Sequence, residues 1–88
     1  MYGLINQMRR SSSSIPTNIA EGCGRASEAD LGRFLTIALG SASELEYQLI
    51  LSNDLAYIDT TTYDELIAET IEIKKMLSAF ILKLKANR

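Results

Sequence analysis

Four arginines and one glycine-flanked turn hold most of what the sequence offers for chemistry. Arg9, Arg10, Arg25 and Arg33 carry planar, permanently charged guanidinium groups, which grip phosphates or carboxylates through paired donors. They are expected to gather near the turn Gly22-Cys23-Gly24-Arg25, and two uses stay open there. Either they offer donors to an outside phosphate or carboxylate, or they pair with Glu21, Glu44 or Glu46, within the chain or between copies.

The other reactive side chains fall short of an active site. The 88 residues include no histidine, which removes Ser-His and Cys-His catalysis, the usual zinc sites and the Glu-x-x-His pairs of di-iron bundles. There is no Walker loop or Gly-x-Gly-x-x-Gly; Gly22-x-Gly24 reads as a helix end rather than a phosphate cradle. Glu44 and Glu46, two residues apart, cannot share a helix face, so they do not form an acid/base pair. The single cysteine, Cys23, has Arg25 nearby but reads as an incidental thiol at a turn. The expectation is a protein without enzymatic activity, cofactor, metal or small-molecule substrate.

Composition fits this. Net charge is -2, with +2 over residues 1–27, -4 over 28–57 and zero over 58–88. An acidic chain has no overall field to attract nucleic acid, so any such contact must use local charge. A lone cysteine and the lack of a signal-like start point to the cytoplasm, and no apolar run approaches the 18 or so residues of a membrane span. A length of 88 residues makes one domain, 1–88. Such a chain buries only about 60 to 65 per cent of its unfolded surface, so association would help it.

The elements that position the arginines are helices. By composition the run Ser11 to Ser14 followed by Pro16 is a loop, but Leu4, Ile5, Met8, Ile15 and Ile19 recur at helical steps through it. The spacing predicts a helix over about 2–22, ending in a left-handed glycine cap at Gly22 or Gly24. Pro16 either kinks it or opens a second short helix after a break near Ser14. Ser27 caps a second helix, about 27–57, whose seam runs Leu31, Leu35, Ala38, Ala42, Leu45, Leu49, Ser52 and Ala56. Gly40 in its small-residue middle implies close approach of another backbone, expected to be the serine run. A third helix, about 62–86, starts at a Thr62/Glu65 capping box. It ends in a basic stretch containing Lys74, Lys75, Lys83, Lys85 and Arg88, which suits the helix dipole. Glu72 and Lys75 are spaced to pair on its surface.

Two segments carry a resemblance. Gln7-x-Arg9-Arg10-x-x-x-Ser14-Ile15-Pro16-x-Asn18-Ile19-Ala20-Glu21-Gly22-x-Gly24-Arg25, followed by Arg33-Phe34-Leu35-x-Ile37-Ala38-x-Gly40-Ser41-Ala42-x-Glu44-Leu45-Glu46, closely resembles the proteins encoded in bacterial 23S rRNA intervening sequences. These are also called S23 ribosomal proteins. The chain is similar as well to the accessory protein of diversity-generating retroelements, a pentamer that binds a reverse transcriptase and nucleic acid. The resemblance implies an all-α, antiparallel four-helix bundle in a ring-like homopentamer, and Arg9, Arg10, Arg25 and Arg33 are its candidate contacts for RNA or a ribonucleoprotein. Ser14, Ile15, Pro16, Asn18, Glu21, Gly22 and Gly24 are its signature here. The family's first helix, which would lie ahead of Tyr2, has no counterpart, so the three helices would leave a groove for another chain. The alternative is a protein-interaction scaffold that binds no nucleic acid.

Overall fold

Residues 2–86 are described by the computed structural model; Arg88 of the basic end lies outside them. Three helices follow in order, α1 (Tyr2–Cys23), α2 (Glu28–Asp54) and α3 (Thr60–Ala86), and the described residues contain no strand. The fold is all-α.

α1 runs unbroken through Pro16. The ring removes the amide that would bond the Ser12 carbonyl, and Ser12 and Pro16 are both exposed. The serines also bond their own helix: Ser12 Oγ donates to the Met8 carbonyl at 2.8 Å and Ser13 Oγ to the Arg10 carbonyl at 3.2 Å. The predicted left-handed glycine cap is absent, since no described glycine has positive φ. Instead the Gly24 amide bonds the Ala20 and Glu21 carbonyls, both at 3.2 Å.

α2 begins as expected, with Ser27 Oγ accepting from the Asp30 amide at 3.1 Å. It ends three residues short of the predicted 57, because Ala56 turns to φ 58°. Tyr57 N–H bonds the Ser52 carbonyl at 2.8 Å and Ala56 N–H the Asn53 carbonyl at 3.0 Å, a Schellman closure. Ala56 therefore leaves the seam and is exposed. An alanine in this region costs about 1 kcal/mol relative to glycine. Ala56→Gly is expected to raise the melting temperature by roughly 5 °C; an unchanged or lower midpoint in a thermal scan would contradict the left-handed closure.

α3 starts two residues earlier than predicted, and its cap is Asp59 rather than Thr62. Asp59 Oδ1 accepts from the Thr62 amide at 2.7 Å, and its carbonyl accepts from Tyr63 at 2.9 Å. The Thr62 hydrogen bonds hold the Asp59 carboxyl below its usual range. A carboxylate reaches two amides from the Ncap position, and the sequence rule chose the wrong polar residue in a run of four. The expected Glu72–Lys75 pair is also absent from the ion pairs of the described residues; Lys74 Nζ instead reaches Glu46 of α2 at 2.5 Å, a half-buried tie between helices.

α2 is the centre of the layer. α1 packs on one side of it and α3 on the other, each antiparallel to it, and no Cα atoms of α1 and α3 come within 8 Å of each other. Leu35, Ala38, Leu77, Ile81 and Leu84 form the α2–α3 core, and Ile15 of α1 and Leu49 of α2 are buried as well. Ala38 and Ala42 are fully buried, and Ser14 Oγ meets Ser41 Oγ at 2.8 Å, so the serine run does pack on the small middle of α2. Gly40 is not part of that contact: a Cβ there would meet nothing within 4 Å. The glycine that answers to close approach is Gly22, where an added Cβ would stand 3.0 Å from Phe34 Cβ and 3.1 Å from Leu31 Cδ1.

Candidate functional site

A layer of three helices has two broad faces, and one of them is a trough. α1 and α3 rise on either side of α2 and leave a groove of about 840 Å³ between them. Its floor is the α2 seam at Leu31, Leu35, Leu45 and Leu49. One wall is Ile5, Met8, Ile15, Pro16 and Ile19 of α1, and the other is Leu66, Ile73, Met76, Leu77 and Phe80 of α3. From Ile5 to Cys23 the α1 wall is roughly 27 Å long at 1.5 Å per residue. Met76 is 66% exposed and Phe80 51%, although both line the groove. Large apolar side chains at that exposure on a concave surface are the general mark of an interaction or binding surface. Arg9 and Glu69 stand on opposite walls, so the polar trim carries both signs.

The predicted arginine cluster is divided by the fold. Arg25 and Arg33 do come together at the Phe34 ring, with guanidinium carbons 4.9 and 4.5 Å from its centroid. Each also has a carboxylate: Arg25 Nη2 lies 3.3 Å from Glu21 Oε2, and Arg33 Nε lies 3.8 Å from Asp30 Oδ1. The Glu21 partner was anticipated and the Asp30 partner was not. Arg9 and Arg10 sit about 20 Å back along α1. Arg9 faces the groove, while Arg10 lies on the opposite face, in a depression with Glu44 and Gln48.

The signature residues have structural work that explains their types. Ser14 bridges to Ser41, and Asn18 Nδ2 donates to the Ser14 carbonyl at 2.8 Å and to its hydroxyl at 2.9 Å, holding that bridge in place. Ile15 is buried and Pro16 lines the groove. Glu21 pairs with Arg25, and Gly22 lets α1 close onto Leu31 and Phe34. Gly24 continues the hydrogen bonding past the end of α1. Sequence reasoning missed Phe34 and Gln48 as contributors. Their signal was the step of seven, Phe34 to Ser41 to Gln48, which puts all three on the side of α2 that faces α1.

Among the described residues no cluster of three His, Cys, Asp or Glu is placed to hold a metal, and no helix is long and apolar enough to cross a membrane.

Comparison with known proteins agrees with this geometry. The family described as 23S rRNA-intervening sequence protein matches residues 1–79. A crystal structure of a protein of unknown function from the S23 ribosomal protein family of Bacteroides thetaiotaomicron VPI-5482 superposes with a TM-score of 0.87 at 37% sequence identity. The match covers 89% of this chain and 72% of that one, which leaves about 30 residues of the neighbour without a counterpart. No curated protein matches the chain.

Proposed function

The chain belongs to the 23S rRNA-intervening sequence protein family, and from that membership we propose that it works by association and not by catalysis, its groove seating an amphipathic helix that completes an antiparallel four-helix bundle. The groove itself carries this reading. It is apolar, the width left between two helices that share a central neighbour, and long enough for about 18 residues of helix. The unmatched 30 or so residues of the structural neighbour are the right length for such an element. The assembled protein acts in the cytoplasm as a homo-oligomer, with five copies as the number the resemblance implies.

A second reading, contact with RNA or a ribonucleoprotein, is favoured by Arg25 and Arg33 around Phe34, a ring with two guanidinium planes able to meet phosphate and base together. It ranks second because both guanidiniums already have carboxylate partners and Arg9 and Arg10 lie elsewhere.

One titration separates the two. A fluorescent 20-residue amphipathic helical peptide with leucines at heptad spacing is expected to bind, and Met76→Glu with Phe80→Glu to weaken it by about tenfold or more. A chain that ignores the peptide at every concentration tested defeats the groove reading. The RNA reading requires a structured RNA hairpin to bind more tightly at about 50 than at 200 mM salt, and Arg25→Ala with Arg33→Ala to weaken it.

A further inference from the structure

The face of α1 and α2 turned away from the groove holds groups that the chain does not use. Gln48 is only 7% exposed, yet its Oε1 has no hydrogen-bond partner among the described residues. An unpaired buried carbonyl oxygen is costly unless something supplies a donor. It lies in a depression between the two helices that Arg10 and Glu44 also line. Both charges are exposed, and neither takes part in an ion pair among the described residues, whereas Arg25, Arg33 and Lys74 all do. Glu44 receives only a long 3.5 Å contact from the Ser11 hydroxyl. That contact fixes the register: Arg10, next to Ser11, stands level with Glu44 on the adjacent helix.

Beside the depression runs a stripe at helical steps of three and four, Ile37, Gly40, Glu44, Tyr47 and Leu51, on the back of α2. Ile37 is 42% exposed and Tyr47 65%. Gly40 weakens the helix by about 1 kcal/mol relative to alanine, and within the chain no atom approaches to justify it. An outside helix would use each of these features: the glycine admits its backbone, the apolar side chains cover it, and a donor entering the depression satisfies Gln48.

The charges identify the visitor. Opposite charges at one level on neighbouring antiparallel helices complement a copy of themselves, because rotation about an axis along the helices keeps that level. We infer that this face docks a second copy of the chain, Arg10 of one copy pairing with Glu44 of its neighbour about an axis parallel to the helices. The whole three-helix layer extends 45 by 21 Å, so a copy seated on its back across α1 and α2 has the length for an interface approaching the roughly 800 Å² per partner of a standard one. This inference rests on the homo-oligomer reading above and adds the surface and the residues.

Sedimentation equilibrium and native mass spectrometry of the full chain test it. The wild type is expected to form a discrete oligomer, and Arg10→Glu or Glu44→Arg alone to weaken assembly by about tenfold or more. The double variant R10E/E44R restores the mass. Gly40→Leu is expected to give a helical monomer, since the free chain has space for the side chain and only a docked copy would clash. A wild-type oligomer unmoved by all these changes, or a double variant that stays dissociated, overturns this interface and leaves the homo-oligomer reading standing. A wild type that is monomeric throughout overturns both.

Discussion

Gly22→Val is expected to destabilise the folded chain by about 2 to 3 kcal/mol, the largest loss from a single small substitution. The first added carbon already sits 3.0 Å from Phe34 Cβ and 3.1 Å from Leu31 Cδ1, with the Leu31 carbonyl at 3.4 Å. Phe34 Cβ is the first side-chain atom, its position fixed by the α2 backbone, and it cannot swing aside. Its ring is in contact with the Arg25 and Arg33 guanidiniums, so a new rotamer would also break both contacts. Valine brings two further methyl groups and forces α1 away from α2, which strains the seam that Ser14 and Ser41 close further along. Alanine is a poorer probe, because its gain of about 1 kcal/mol in helix propensity opposes the clash. Urea unfolding of both variants reads the effect. A valine variant with the wild-type midpoint would mean that the two helices do not meet closely at this glycine.

Much of this architecture was legible in the sequence, and the misses share a cause. The three helices, the Ser27 cap and the packing of the serine run on α2 follow from periodicity and capping chemistry, which are local. Pro16 in that periodic run allows either a kink or a break, and the structure shows one continuous α1 with Pro16 exposed. Gly22 and Gly40 were exchanged in role: Gly22 looked like a cap and is a contact, while Gly40 looked like a contact and has empty space beside it. Composition cannot tell these apart, since both depend on what stands across from the residue. Ala56 and Asp59 show the same limit at helix ends, where a non-glycine takes the left-handed position and the first polar residue of a run, not the last, makes the cap. For the candidate site, the seam of α2 already marked Leu31, Leu35, Leu45 and Leu49, which form the floor of the groove. The division of the arginines did not show, because nothing local says that Arg9 and Arg10 point to opposite faces of the layer.

Joining an amphipathic helix of about 27 residues ahead of Tyr2 through a short flexible loop is expected to stabilise the chain by roughly 3 kcal/mol, taking the ordinary stability of native domains per residue. The loop reverses the direction of the chain, so the added helix runs antiparallel to α1 and, since α1 and α3 are parallel, antiparallel to both walls. Leucines at heptad spacing would then cover Leu66, Met76 and Phe80, which are 37, 66 and 51% exposed without it. An acid placed toward Arg9 and a base toward Glu69 would match the trim of the groove. Denaturant slope is the sharper readout, because it scales with the surface exposed on unfolding: a helix docked in the groove should raise the urea m-value by about 30 per cent in one cooperative transition. A helix that merely dangles would leave the slope and midpoint of the main transition where they were. Met76→Glu with Phe80→Glu then serves as the control, since it spares the sequence of the added helix and alters only its seat. Loss of the gain in that background ties the stabilisation to the groove, whereas a gain that survives both charges would place the helix elsewhere and remove the ground for a bundle completed there.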